Sequence, residues 1–313
     1  MDYIRINLTN CSIYSDFTAI AMHPSMELHN LAAEPSEEWH RLLRFVNISS
    51  DERFAMIRSS ETLVNRGQEF VIKTYDYLNS VPETAAILGW ERGIDEAHLE
   101  ERRRFFTMWL NRTLGVDTSD EFAYYLFRSG QYHAGHGPRR IHTPTPYVTT
   151  SVGLTLAAFA HYLGDAKLPS EVIANAMAGW VKYLSVQLNQ MAIGYDVAKD
   201  AECGDATIHF STFGRMRPIV GKDEFDMRAN AGDQVRELLR KFFNYYPQAR
   251  LESLDRIWTS EEKEDKLWVE VNPAYILKQG WRILLNGRDV EYAGGFDVTV
   301  QDQDSIAIFP PGR

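Results

Sequence analysis

The chain has 313 residues, 44% of them hydrophobic, and 43 acidic against 33 basic side chains give a formal charge of −10. The length favours two domains, because single cores stop growing near roughly 250–300 residues. The charge argues against a nucleic-acid partner held through its phosphates, and no stretch approaches the ~18 consecutive apolar residues of a membrane helix.

Residues 1–34 read as an N-terminal extension. Their opening lacks the basic start and apolar core of a secretory signal. The only cysteines, Cys11 and Cys203, are too far apart for a disulfide framework or a zinc finger. A reducing, cytoplasmic setting with free thiols is expected.

From Pro35 the pattern is helical. Glu38–Val46 is a short amphipathic segment behind Pro35 and Ser36, a pair suited to a helix start. Asp51 to about Ser80 reads as one long helix carrying Phe54, Ile57, Leu63, Phe70, Val71, Tyr75 and Leu78, stopped by Val81-Pro82. Asp95–Leu114 has an acidic first turn, apolar Leu99, Phe106, Trp109 and Leu110, and Gly115 as a C-cap. Ser119 caps a helix over Asp120–Ala134. Pro146–Leu163 ends at Gly164, and Pro169–Tyr195 ends near Gly194. Six or seven helices without strand alternation predict an all-α globule over residues 35–197. The short, polar stretch Ala198–Asp205 predicts a linker.

Beyond Ala206 the pattern changes. Ala206–Phe213 alternates as a strand does, and Glu224–Arg228 is a second strand. Asp233–Tyr246 is an amphipathic helix. Leu267–Asn272, Trp281–Leu285 and Ser305–Phe309 are further strands, with turns at Asn286-Gly287 and Gly294-Gly295. One sheet packed on one helix, an α+β domain over residues 206–313, accounts for this order.

The chemistry-bearing stretch is Arg128–His142, with His133, His136 and His142. Phe122, Leu126, Gly130 and His133 are spaced 4, 4 and 3 apart, so His133 shares their inward face. The residues alone leave three readings: a hydrogen-bonded core histidine, a zinc site on all three histidines that has no cysteine or carboxylate to complete it, or a single axial ligand to haem iron.

Four segments carry a family resemblance. Phe70–Glu83 (FVIKTYDYLNSVPE) resembles the second helix of protoglobins and globin-coupled sensors. Glu96–Trp109 resembles their distal helix. Gly130–Gly137 (GQYHAGHG) resembles their proximal motif, and Pro35–Asn47 resembles their extra N-terminal helix. The resemblance covers residues 35–195. It implies an all-α globin-like fold that holds haem b, with His133 as the proximal iron ligand. Tyr75 would lie on the distal side, its hydroxyl able to donate to a diatomic gas (oxygen, carbon monoxide or nitric oxide), and Phe106 would line the pocket. It also implies a homodimer through the Pro169–Tyr195 helix with Trp180 and Tyr183, and an N-terminal extension able to help bury the haem. His136 and His142 match no ligand position and are expected to be solvated. Thr74, at a position usually aromatic, and Pro138–His142 depart from the family pattern, which bears on pocket shape and gas selectivity.

In the second half, Ile208–Arg217, Ala231–Leu239, Leu285–Val290 (LNGRDV) and Val300–Pro311 (VQDQDSIAIFPP) resemble the small, ubiquitin-like subunit of molybdopterin synthase and related sulfur carriers. That implies a β-grasp fold. Carrier chemistry in that family needs a C-terminal Gly-Gly, whereas this sequence reads Phe309-Pro-Pro-Gly-Arg313, and Gly294-Gly295 lies mid-chain. The expectation is therefore a haem-based gas sensor with a degenerate β-grasp domain that contacts a protein partner. The alternatives are a gas-regulated sulfur carrier for molybdopterin synthesis and a haem enzyme turning over nitric oxide or peroxide.

Overall fold

The computed structural model describes residues 26–262 and 269–312. Eight helices come first: α1 Pro35–Val46, α2 Ser50–Asn65, α3 Gly67–Ser80, α4 Pro82–Leu88, α5 Glu96–Leu114, α6 Asp120–His133, α7 Thr145–Asp165 and α8 Ser170–Ala201. Their starts follow from local chemistry. Glu34 caps α1 by accepting from the Glu37 amide, with Pro35 in the first turn. Ser49 and Glu52 form a reciprocal capping box on α2. Asp95 and Ser119 cap α5 and α6.

The single helix expected over 51–80 is two helices. The break falls at Arg66, whose amide closes onto Thr62 and Val64, and α3 starts at Gly67, where an added Cβ would touch Leu110. Val81-Pro82 does stop α3, but Pro82 then opens α4 as its first residue. The helix expected to end near Gly194 continues to Ala201, so the first half of the predicted linker is helical.

Gly194 is no terminator, because it is where α8 meets α6. A Cβ on Gly194 would lie 1.9 Å from the Phe127 carbonyl oxygen, and one on Gly130 would lie 1.9 Å from that of Met191. The two helices therefore cross backbone to backbone. The core beside this crossing contains Trp39, Phe122, Phe159, Trp180 and Tyr183, all fully buried. Trp180 Nε1 donates to Ser59 Oγ at 3.0 Å, and the Tyr183 hydroxyl donates to the Asp117 carbonyl at 2.6 Å. Trp180 and Tyr183 thus belong to the core rather than to a dimer face.

The second domain is built from β1 Ala206–Thr212, α9 Met216–Val220, β2 Glu224–Ala229, α10 Val235–Tyr245, α11 Pro247–Ser253, β3 Leu254–Glu262, β4 Val269–Leu277, β5 Arg282–Leu285, β6 Arg288–Asp289 and β7 Ser305–Phe309. The main sheet has the order β2-β1-β7-β5-β6, with β1 and β7 parallel at its centre. α10 covers one face, with Phe242 stacked 5.6 Å from Phe210 of β1. Asn286 and Gly287 both take positive φ in the β5–β6 hairpin, as a two-residue primed turn requires. The Asp302/Asp304 motif is a turn: Asp302 accepts the Thr207 amide and Asp304 the Gln301 amide.

Strand β3, unexpected from the sequence, pairs with β4 in a separate two-stranded ribbon. Positions 267 and 268 of the expected strand lie outside the described residues.

The part of the N-terminal extension that is described, residues 26–34, packs on this second domain. Leu28 is buried in its core and pairs with Tyr275 of β4. The Ala32 amide donates to Asn244 Oδ1 at 2.8 Å, and buried Arg250 donates to the Ala32 carbonyl at 2.8 Å. The Tyr124 hydroxyl of α6 then bonds the Glu34 carboxylate. Residues 1–25 lie outside the described residues.

Replacing Gly194 or Gly130 by Ala should force α6 and α8 apart and cost on the order of 3 kcal/mol by overpacking. A fall in the helical unfolding midpoint in urea measures this, and an unchanged midpoint would contradict the backbone contact.

Candidate functional site

Helices α3, α5, α6, α7 and α8 enclose a cavity of about 1040 Å³, at the upper end of the ~300–1,000 Å³ usual for small-molecule sites. Phe70, Phe106, Trp109, Val152, Leu184 and Met191 give it apolar walls. His133, Tyr75 and Phe106, the three residues singled out from the sequence, all line it.

His133 is the last residue of α6. Its Nδ1 lies 2.7 Å from the Ser129 carbonyl, one turn back. A carbonyl only accepts, so Nδ1 carries the proton and Nε2 keeps a free lone pair. Among the described residues, no group bonds Nε2. Burial pushes the imidazole pKa down, opposed by the Ser129 carbonyl and reinforced by the Arg102 charge. The result is a neutral imidazole in a fixed tautomer, which is what a metal-ligating histidine needs.

Tyr75 is buried, and its hydroxyl donates to the Arg102 carbonyl at 3.0 Å. Burial, partly offset by nearby arginines, pushes its pKa up to about 12. The proton expected to face a gas is therefore spent on the backbone of α5. Phe106 is half-buried, edge-on to Tyr75 at 6.0 Å and stacked on Trp109 at 5.2 Å. Trp109 Nε1 in turn donates to Gln187 Oε1 at 2.8 Å. The Thr74 hydroxyl turns back to the Phe70 carbonyl.

Cations ring the cavity. Arg66 and Lys73 are paired with Glu69, and Arg139 with Glu101. Arg102, Arg128 and Arg140 also line it and have no carboxylate partner among the described residues. Apolar walls, a free neutral imidazole and unneutralised cations together suit a flat apolar macrocycle with anionic groups, so the residues present fit a haem.

His136 is half-buried and held on both ring nitrogens, contrary to expectation, whereas His142 is exposed, as expected. His136 Nε2 lies 2.9 Å from Glu202 Oε1 and Nδ1 lies 2.8 Å from the Tyr245 hydroxyl. The carboxylate fixes the proton on Nε2, so Tyr245 donates to Nδ1. His142 Nε2 lies 2.7 Å from the Tyr195 hydroxyl. Among the described residues, no group of three metal-binding side chains exists, so the three histidines do not form a zinc cluster.

The protoglobin family model matches residues 36–199, more than half of the chain. The chain belongs to the protoglobin family. The protoglobin domain is followed by a match to the ThiS family over residues 211–312, so the second domain is of the ubiquitin-like ThiS type. Comparison with curated proteins gave no match. Among solved structures, the small archaeal modifier protein 1 of Methanosarcina acetivorans is 24% identical, with 34% of this chain and 93% of that one covered at a TM-score of 0.25. A putative molybdopterin converting factor subunit 1 from Pyrococcus furiosus is 20% identical, covering 34% and 100% at 0.24. The Haloferax volcanii HVO 2177 protein is 21% identical, covering 36% and 94% at 0.26. Membership of the protoglobin family implies haem binding in general terms. Among the described residues, no helix is long and apolar enough to cross a membrane.

Sequence reasoning missed Arg102, Gln131 and the partners of His136. Ser129 was readable, since a carbonyl four residues before a terminal helix histidine lies within reach of its ring.

The depressed His133 pKa has a consequence for stability. The unfolded chain takes up the proton near 6.5 while the folded apo domain resists it. The stabilisation is therefore complete above pH 6.5 and lost as the pH falls below it. Buried His98, also depressed, acts in the same direction. Apo-protein melts from pH 8 to 5 should show this decline, with a shallower slope in His133→Phe, and a pH-independent melting temperature would contradict it.

Proposed function

We propose that the protoglobin domain is a haem-based gas-binding sensor, with haem b held by His133, and that the β-grasp domain is its protein-interacting output. The observation that carries this is the His133 imidazole, fixed by Ser129 with Nε2 free in an apolar cavity. Haem supplies an iron able to take oxygen, carbon monoxide or nitric oxide. The chain's own residues do the rest. His133 offers a lone pair, Phe106 and Trp109 exclude water, and Tyr75 sets distal polarity through a hydroxyl that must leave Arg102 before it can donate elsewhere. Visible spectra test the reading. Haem addition should give a Soret band that His133→Ala weakens or shifts, and an identical spectrum in the variant would sink it.

The output role rests on α6. The helix that ends in His133 also meets the β-grasp domain: Gln131 Nε2 donates to the Tyr245 carbonyl at 3.0 Å, and His136 accepts from the Tyr245 hydroxyl. A shift of His133 on gas binding is carried to α10 through these bonds, with a coupling on the order of 1–3 kcal/mol. The Pro310-Pro311 tail packs on Gly214 and Gly280, which favours a docking module over a carrier with a free tail. A cytoplasmic homodimer completes the reading, its contact on α8 falling to exposed residues such as Val181. Hydrogen exchange of α10 amides should differ between carbon monoxide-bound and ligand-free protein, and Tyr245→Phe should shrink that difference. An unaltered difference in the variant would rule out this route.

A further inference from the structure

His98 of α5 is 3% exposed, and both of its ring nitrogens face donors. Trp90 Nε1–H points at Nδ1 from 3.2 Å, and Arg102 Nε–H points at Nε2 from 3.0 Å. A neutral imidazole has one acceptor nitrogen and one N–H, so it can satisfy only one of the two. A protonated ring would satisfy neither. Among the described residues, no other group accepts a proton from this ring, so the arrangement sets two N–H groups against each other at one of the contacts.

The Trp90 indole is buried and has nowhere else to go. Arg102 is half-buried, lines the cavity and uses only its Nε on His98, so that among the described residues both terminal nitrogens are without a partner. Its charge acts on Tyr75 and on His133 alike, so it bears on both ends of the cavity. Arg128 and Arg140 also lack carboxylates, but both are exposed and well hydrated.

We propose that Arg102 is the anion-binding residue of the cavity, resting on His98 until a carboxylate of an enclosed tetrapyrrole takes its guanidinium. The departure frees His98 Nε2 to carry the proton while Nδ1 accepts from Trp90, which resolves the conflict. A carboxylate is the matching ligand because it accepts from the guanidinium fork in two parallel bonds. This inference rests on the haem reading above.

The test compares two ligands on the full chain. The apo-protein is titrated with haem and, separately, with haem dimethyl ester, which has the same ring and iron but no carboxylates. The Soret band reports both affinities. The wild type should prefer the diacid, and Arg102→Met should reduce that preference roughly tenfold. Arg58→Met, at an exposed arginine outside the cavity lining, should leave it intact. Arg102→Lys keeps the charge without the fork and should retain part of the preference, and it serves if the Met variant fails to fold. An equal diacid preference in the wild type and in the folded Arg102 variants would overturn the proposal while leaving haem binding standing. Absence of a Soret band with either ligand would overturn the haem reading, and the proposal with it.

Discussion

The close crossing of α6 over α8 is the constraint on which the rest depends. Two glycines let the backbones meet, because the space a Cβ would need on each is filled by the backbone of the other helix. Because α6 is fixed at Gly130, His133 sits less than one turn beyond a rigid point, and its ring has little latitude. The same fixation directs Gln131 the other way, toward Tyr245. One packing decision thus orients a helix with a cavity on one side and a second domain on the other.

The cavity achieves its chemistry by withholding partners. Ser129 occupies one nitrogen of His133 and nothing occupies the other. Glu69 and Glu101 neutralise part of the rim but leave Arg102, Arg128 and Arg140. Arg128 and Arg140 are exposed and hydrated, but an apolar interior pays heavily for unsatisfied polar groups, so His133 Nε2 and the half-buried Arg102 mark where a ligand contributes to stability. Tyr75 is the exception, since it satisfies itself on the Arg102 carbonyl and so links the distal wall to the position of α5.

Much of this was legible beforehand. Capping at Ser119, the inward face of α6, and the strand Ser305–Phe309 follow from periodicity and end signals, and the structure places them there, while the strand read over Ala206–Phe213 ends one residue earlier and Asp95, read as opening its helix, caps it. Gly194 was misread because a glycine inside a helix and one at its end look alike in a single sequence, and the difference lies in a helix 60 residues away. Arg66 broke a helix that propensity alone would continue. His136 looked solvated because Tyr245 and Glu202 reach it from distant parts of the chain. The β3–β4 ribbon lacks the flanking turn residues that mark the other strands. Tyr75, Phe106 and His133 do share one cavity, and that grouping came from the ordered family motifs rather than from any single spacing.

The strap at residues 26–34 bears on the order in which the chain assembles. Ala32 and its partner Asn244 are 212 residues apart, with every helix of the protoglobin domain between them. During synthesis the strap emerges before the helices, and the surface that receives Leu28 emerges after them. The helices can pack as they appear, because their contacts are comparatively local. The β-grasp core closes only when the oldest part of the described chain is threaded back under the newest. A fragment starting at β1 would carry an apolar trough where Leu28 belongs, so the second domain is delimited in sequence yet completed by residues that precede the first.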